Sequence, residues 1–172
     1  MSIRSVTAIG LLALVLAGCQ STQGREVPDS LCGTHVTSDL TADLIPPGEI
    51  AEDLRERQGW PKTVCRVLVD GVVVLYIEMQ MQTTPLDPME LATEHWQMMF
   101  GDPRRLDIGD SAVVGDHGIA VLAACPGYKE GASYSVDILV KNRDPDDVDS
   151  NRVALEAFAR EYFPQSRQDA GC

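Results

Sequence analysis

Three histidines, one serine in a candidate loop and a handful of methionines are what this 172-residue chain offers a chemist. His35, His95 and His117 would each need a nucleophile and a carboxylate alongside to support hydrolysis. Ser111 stands in "GDSAV", which lacks the G-x-S-x-G turn that exposes a serine at a strand-to-helix elbow. Asp116 and His117 fall together in a predicted tight turn, where both residue types are tolerated for backbone reasons. The acidic run Asp144, Asp146, Asp147 and Asp149 invites calcium, but a calcium loop of the familiar kind wants a glycine at its sixth position and a glutamate at its twelfth. Here a helix is predicted to begin instead, so these acids are expected to solvate a loop and complement the helix's positive end. The sharpest chemical pattern is soft. Met79 and Met81 share a strand face, and His95, Met98 and Met99 lie within about one turn of the next helix, a set of ligands that would select Cu(I). The competing reading is that these methionines fill a core gap beside Leu75 and Ile77. No catalytic residue, no metal and no cofactor is assigned, and an unrecognised hydrolase or a copper-binding protein stands as the alternative function.

The elements that must position these residues are legible in part. A helix is predicted over residues 37–44, broken by Pro46-Pro47-Gly48, and a second short helix over 49–58, where Ile50 and Leu54 are one turn apart. Asp70-Gly71 between two β-branched runs is the strongest hairpin signal in the chain. In its second strand Leu75, Ile77, Met79 and Met81 take one face and Tyr76, Glu78, Gln80 and Gln82 the other, so one face is core and the other wet or covered by a polar partner. Asp87-Pro88-Met89-Glu90 opens a helix with Asp87 as N-cap, and Met89, Ala92, Trp96 and Met99 recur on one side until Gly101. Strands follow at 111–114, 118–125 and 133–141, the last with Tyr134, Val136, Ile138 and Val140 alternating against Ser135, Asp137, Leu139 and Lys141. A final helix is predicted over 151–163, capped by Ser150 and ended by Pro164. The pattern is α+β: one domain, with a mostly antiparallel sheet of about five strands and helices packed on one face. The hairpin-length turns exclude a parallel sheet, whose neighbours need long crossovers.

Of five cysteines, four fall in the predicted domain: Cys32, Cys65, Cys125 and Cys172. They lack any CxxC spacing, and an even count in an exported chain reads as two disulfides with three possible connectivities. Tethering the free ends favours Cys32 with Cys65 and Cys125 with Cys172. Lysine occurs only at 62, 129 and 141 among 14 basic residues, a bias that fits a GC-rich genome. The net charge of −12 argues against nucleic acid as a partner.

The fifth cysteine gives the address. Arg4 precedes an apolar run over 8–17, the layout of a secretory leader, and the run is too short to span a bilayer. Leu16-Ala17-Gly18-Cys19 resembles a bacterial lipobox. That resemblance implies cleavage before Cys19, a diacylglyceryl group on its sulfur, palmitate-type acylation and anchoring at the extracytoplasmic face of the cell membrane. The expected organisation is a leader at 1–18, a lipidated cysteine and flexible tether at 19–30, and a folded domain at 31–172. The series "CGT", "LIPPGE", "CRVLVDG", "DPMELA", a second cysteine strand and a terminal cysteine is similar to a group of actinobacterial envelope lipoproteins without assigned function. The similarity implies the same cysteine pairing and brings no catalytic residue. The expected function is therefore a non-catalytic binding or protein-interaction module. Its partners, besides the membrane, would be an envelope protein, the cell wall or a small apolar ligand.

Overall fold

The computed structural model describes residues 27–56, 62–84, 86–94, 100–141 and 147–172. The expected leader at 1–18, Cys19, Trp60, His95, Trp96, Met98, Met99, Asp144 and Asp146 lie outside that set. The described chain is α+β, and every strand pair in it is antiparallel.

A two-stranded ribbon of β1 (Ser30–Leu31) and β2 (Thr34–His35) leads into α1 (Ser38–Leu44), with Thr37 at its N-cap. Then come β3 (Ile50–Glu56), β4 (Lys62–Val69) and β5 (Val72–Gln82), followed by α2 (Pro88–Glu94). β6 (Arg104–Leu106), β7 (Ser111–Val114), β8 (Gly118–Ala124) and β9 (Ser133–Val140) precede the long α3 (Val148–Asp169). Seven strands form one sheet in the order β3-β4-β5-β9-β8-β7-β6.

Seven strands replace the five expected, for two reasons. The helix expected over 49–58 is not there: Ile50–Glu56 is β3, which pairs along its length with β4, and 57–58 lie outside the described residues. A spacing of four, as between Ile50 and Leu54, satisfies a helical period and a strand period alike, so seven residues could not separate them. β6, at three residues, is too short to display any alternation. The hairpin at Asp70-Gly71 is as expected. Both residues have positive φ, 51° and 79°, which is the backbone a two-residue type I′ turn demands.

Helices lie on both faces of the sheet. Along β7, β8 and β9 alternate residues point opposite ways: Ala112, Val114, Ile119, Val121, Val136 and Ile138 share a core with Leu155, Phe158, Ala159, Tyr162 and Phe163 of α3. Val113, Ala120 and Leu139 instead meet Ala92 and Phe100 in and beyond α2. All eight residues of β9 are therefore buried, and on the polar face of β5 Glu78 is buried while Tyr76, Gln80 and Gln82 are half-buried.

α3 also differs from expectation. It begins after Asp147 rather than Ser150, and Pro164 sits inside it. Proline within a helix costs about 3 kcal/mol, and what offsets this is tertiary. The turns beyond Pro164 are held by Tyr134 Oη to Ser166 Oγ at 2.6 Å, Arg167 to the Ala124 carbonyl at 2.6 Å, and the Cys125–Cys172 disulfide. The second disulfide, Cys32–Cys65, ties the β1–β2 ribbon onto β4. Both pairings match the expectation.

Candidate functional site

α3 covers the α3-side face over β7, β8 and β9, while the β1–β2 ribbon is clamped over β4 by Cys32–Cys65. Between the ribbon and the last turns of α3 the sheet is left partly uncovered. The result is a cleft of 330 Å³, open on one side. Its floor is Leu54 of β3, Thr63 of β4, Met79 and Met81 of β5 and Tyr134 of β9. One wall is the turn Cys32-Gly33-Thr34, and the other is Ser166, Asp169 and Ala170. Thr63 stands opposite Met79, and Met81 opposite Tyr134, so the floor is a continuous patch of neighbouring side chains.

Several polar atoms around this floor are hydrogen-bonded. Tyr134 and Ser166 share a buried hydrogen bond, and Tyr162 Oη donates toward Met79 Sδ at 3.7 Å. Burial pushes both tyrosine hydroxyls above their ordinary range, so neither serves as a base near neutral pH. Met81 Sδ lies 3.9 Å from Cys172 Sγ. Asp169 is exposed at the mouth and accepts from Gln165. The lining is therefore mixed: Leu54 and the two thioethers make the floor mainly apolar, and Thr34, Ser166 and Asp169 place polar groups on the walls.

Cys32, Glu52 and Cys65 also bring three metal-type ligand atoms within 4.8 Å of one another. The two sulfurs are bonded to each other, however, so neither is a thiolate. Glu52 instead accepts the Cys32 backbone N–H at 3.0 Å and fixes the ribbon turn.

On the opposite sheet face Glu78 and Asp137 are direct cross-strand partners. Lys62 Nζ lies 2.5 Å from Glu78 Oε1, and Tyr76 Oη donates to Glu78 Oε2 at 3.3 Å. Asp137 is 3% exposed, and its Oδ1 has no partner among the described residues. Burial first, and the Glu78 carboxylate second, push Asp137 up to about 8, with Lys62 pulling the other way. Asp137 is thus a neutral acid at physiological pH.

The residues singled out in the sequence are scattered. His35 is exposed in β2, and His117 is exposed in the β7–β8 turn, where its backbone N–H donates to the Phe100 carbonyl. The neighbouring Asp116 carboxylate is engaged by Arg152 at 2.5 Å and by the Asp102 N–H, and Ser111 sits at the other end of β7. Met79 and Met81 face α3, whereas α2 packs on the opposite face. The helix expected to carry soft ligands toward the methionines therefore starts on the wrong side of the sheet, and His95, Met98 and Met99 themselves lie outside the described residues. Asp147 is the N-cap residue of α3 and Asp149 lies in its first turn, as expected of acids at a helix N-terminus. Leu54, Thr63, Tyr134, Ser166 and Asp169 were not singled out in the sequence. Only Tyr134 carried a signal, as a large aromatic on the inward face of a strand.

No family model, curated protein or solved structure matches this chain.

Proposed function

We propose that this protein is a lipid-anchored lipoprotein of the outer face of the cell membrane, and that it binds a small, mainly apolar ligand without transforming it. The cleft over Met79, Met81 and Tyr134 carries the reading. Its volume falls at the lower end of small-molecule sites, about 300 to 1,000 Å³, and the Tyr134 and Ser166 hydroxyls that line it are hydrogen-bonded to each other, which suits a mainly apolar guest. Support for the location comes from the two disulfides, which persist in oxidising compartments, and from the lipobox at Cys19. Among the described residues no helix is long and apolar enough to cross a membrane, so a lipid anchor at Cys19 would supply the attachment. An actinobacterial source remains part of the same proposal, resting on the arginine bias and the motif resemblance.

The test is native mass spectrometry of the exported chain from residue 20 to 172. We expect a deficit of four hydrogens together with uptake of one equivalent of a neutral apolar dye, and loss of that uptake in Leu54→Trp, which fills the cleft from an edge strand. A disulfide-bonded protein that takes up no dye, or one in which Leu54→Trp changes nothing, refutes the binding reading. A second reading, Cu(I) on the thioethers, is favoured by Met79 and Met81 lining the same floor. It predicts that Met79→Leu with Met81→Leu loses Cu(I) while dye uptake persists.

A further inference from the structure

We propose that the ligand is one acyl chain of a lipid drawn from the membrane that anchors the protein, with an uncharged or amine-bearing headgroup held outside at Asp169. The inference rests on the binding reading above and names its ligand class. Four observations converge on it.

The first is size. A volume of 330 Å³ has room for about ten methylene-sized groups, taking roughly 30 Å³ each as for water. That takes up about ten carbons of one chain and is too little for two. The second is shape and surface. The cleft is open on one side, so a chain can enter while its headgroup stays in water. Met79 and Met81 give the floor unbranched, polarisable side chains that adapt to a flexible guest.

The third is charge. Among the described residues Asp169 is the only charged one lining the cleft, it is exposed, and the whole chain carries −12. An anionic headgroup is repelled there, while an ammonium is attracted. The fourth is placement. The turn Cys32-Gly33-Thr34 is a wall of the cleft, and Asp29, only three residues before it, pairs with Val36. The chain therefore enters the domain beside the mouth. The eight steps along the chain from Cys19 to Val27 reach no further than about 28 Å, so an anchor at Cys19 would keep that entrance near the leaflet.

The experiment uses the exported chain from residue 20 to 172, which retains every described element, with N-phenyl-1-naphthylamine as the fluorescent probe. Monoacylglycerols of 6 to 16 carbons, and the matching fatty acids and alkylamines, compete for it. Burial of a chain predicts that the competitor's dissociation constant tightens about fourfold per methylene and levels off near ten carbons. Fatty acids should compete several-fold more weakly than glycerides of equal length, and Asp169→Asn should remove that difference. Displacement that does not depend on chain length, with the probe still bound and still lost in Leu54→Trp, overturns the acyl inference and leaves the cleft as a site for a compact ligand. Probe binding that Leu54→Trp leaves intact overturns the cleft reading itself. A lipidated protein in liposomes that excludes the probe, where the unlipidated chain takes it up, places the chain's own anchor in the cleft and also overturns the proposal.

Discussion

The two faces of one sheet solve the burial problem in opposite ways. On the α3 face the buried side chains are mainly apolar, and near the cleft the hydroxyls of Tyr134, Ser166 and Tyr162 are hydrogen-bonded. What that face lacks is complete cover, so it leaves a cleft. On the α2 face the same strands present Tyr76, Glu78, Ser135 and Asp137, and β9 buries its share of them. Among the described residues, what that face lacks is a hydrogen-bond partner for Asp137 Oδ1 and for Ser133 Oγ. A mainly apolar gap costs little and can receive a guest, whereas a buried acid with an unpartnered oxygen costs stability and answers to pH.

The largest effect should come from breaking the well-packed part of the α3 face. Phe158 is fully buried and stacks on Tyr162 with centroids 5.0 Å apart. Phe158→Ala is expected to lower unfolding free energy by about 4 kcal/mol in urea titration. A loss below about 1 kcal/mol would mean that the core there is as loose as the cleft.

Nearly as large is removal of the clamp that forms the cleft wall. Cys32 and Cys65 are 33 residues apart, and losing a loop closure of that size costs roughly 3 to 4 kcal/mol in the chain-entropy model. Cys32→Ser with Cys65→Ser should show this loss together with loss of probe binding. Breaking Cys125–Cys172 by Cys172→Ser should cost a similar amount while leaving the ribbon in place.

The α2 face yields a pH prediction with a definite sign. Asp137 is pushed from 3.8 to about 8 in the fold, so between those values the native state holds a proton that the unfolded state has released. Stability must therefore fall as pH rises from about 4 to 8, and level off above that, so far as this group is concerned. Asp137→Asn, which keeps the shape and cannot ionise, is expected to gain on the order of 2 kcal/mol at pH 7 and to flatten that slope. A variant less stable than the parent at pH 7 would show that the carboxylate has a partner in the fold.

The smallest effect belongs to the cleft. Tyr134→Phe removes a single buried hydrogen bond to Ser166 and should cost about 1 kcal/mol. Met81→Leu should stay within about 1 kcal/mol of the parent, because a thioether and an aliphatic chain of similar volume exchange readily at a partly open site. Together they would rank the floor of the cleft below the core beneath α3, as a site kept for something other than stability.

How much of this was written in the chain varies from element to element. Asp70-Gly71 specified its own hairpin because only a few residues tolerate positive φ, and Asp87 capped α2 because its carboxylate reaches the Met89 N–H at 2.9 Å without help from the rest of the fold. The inward faces of β5 and β9 were legible from a period of two. The strand β3 was not, because Ile50 and Leu54 fit two periods at once, and pairing with β4 decided between them. Nor was the passage of α3 through Pro164. A local rule ends the helix there, and contacts with Tyr134, Ala124 and Cys125 override it. The site residues were the least legible of all. Leu54, Thr63, Met79 and Ser166 come from four separate elements, and none carries a local signature of being near the others.

By itself, then, the sequence determined those features that depend on a few consecutive residues: the Asp70-Gly71 turn, the Asp87 cap, the alternation, the α+β class, and the even set of four cysteines at 32, 65, 125 and 172. Tertiary structure alone decided where the sheet is left uncovered and where an acid is buried, since both depend on which elements lie across each face. Local stereochemistry acts over three or four bonds, but a cleft is the space left when distant segments fail to meet, and no short stretch of chain encodes that.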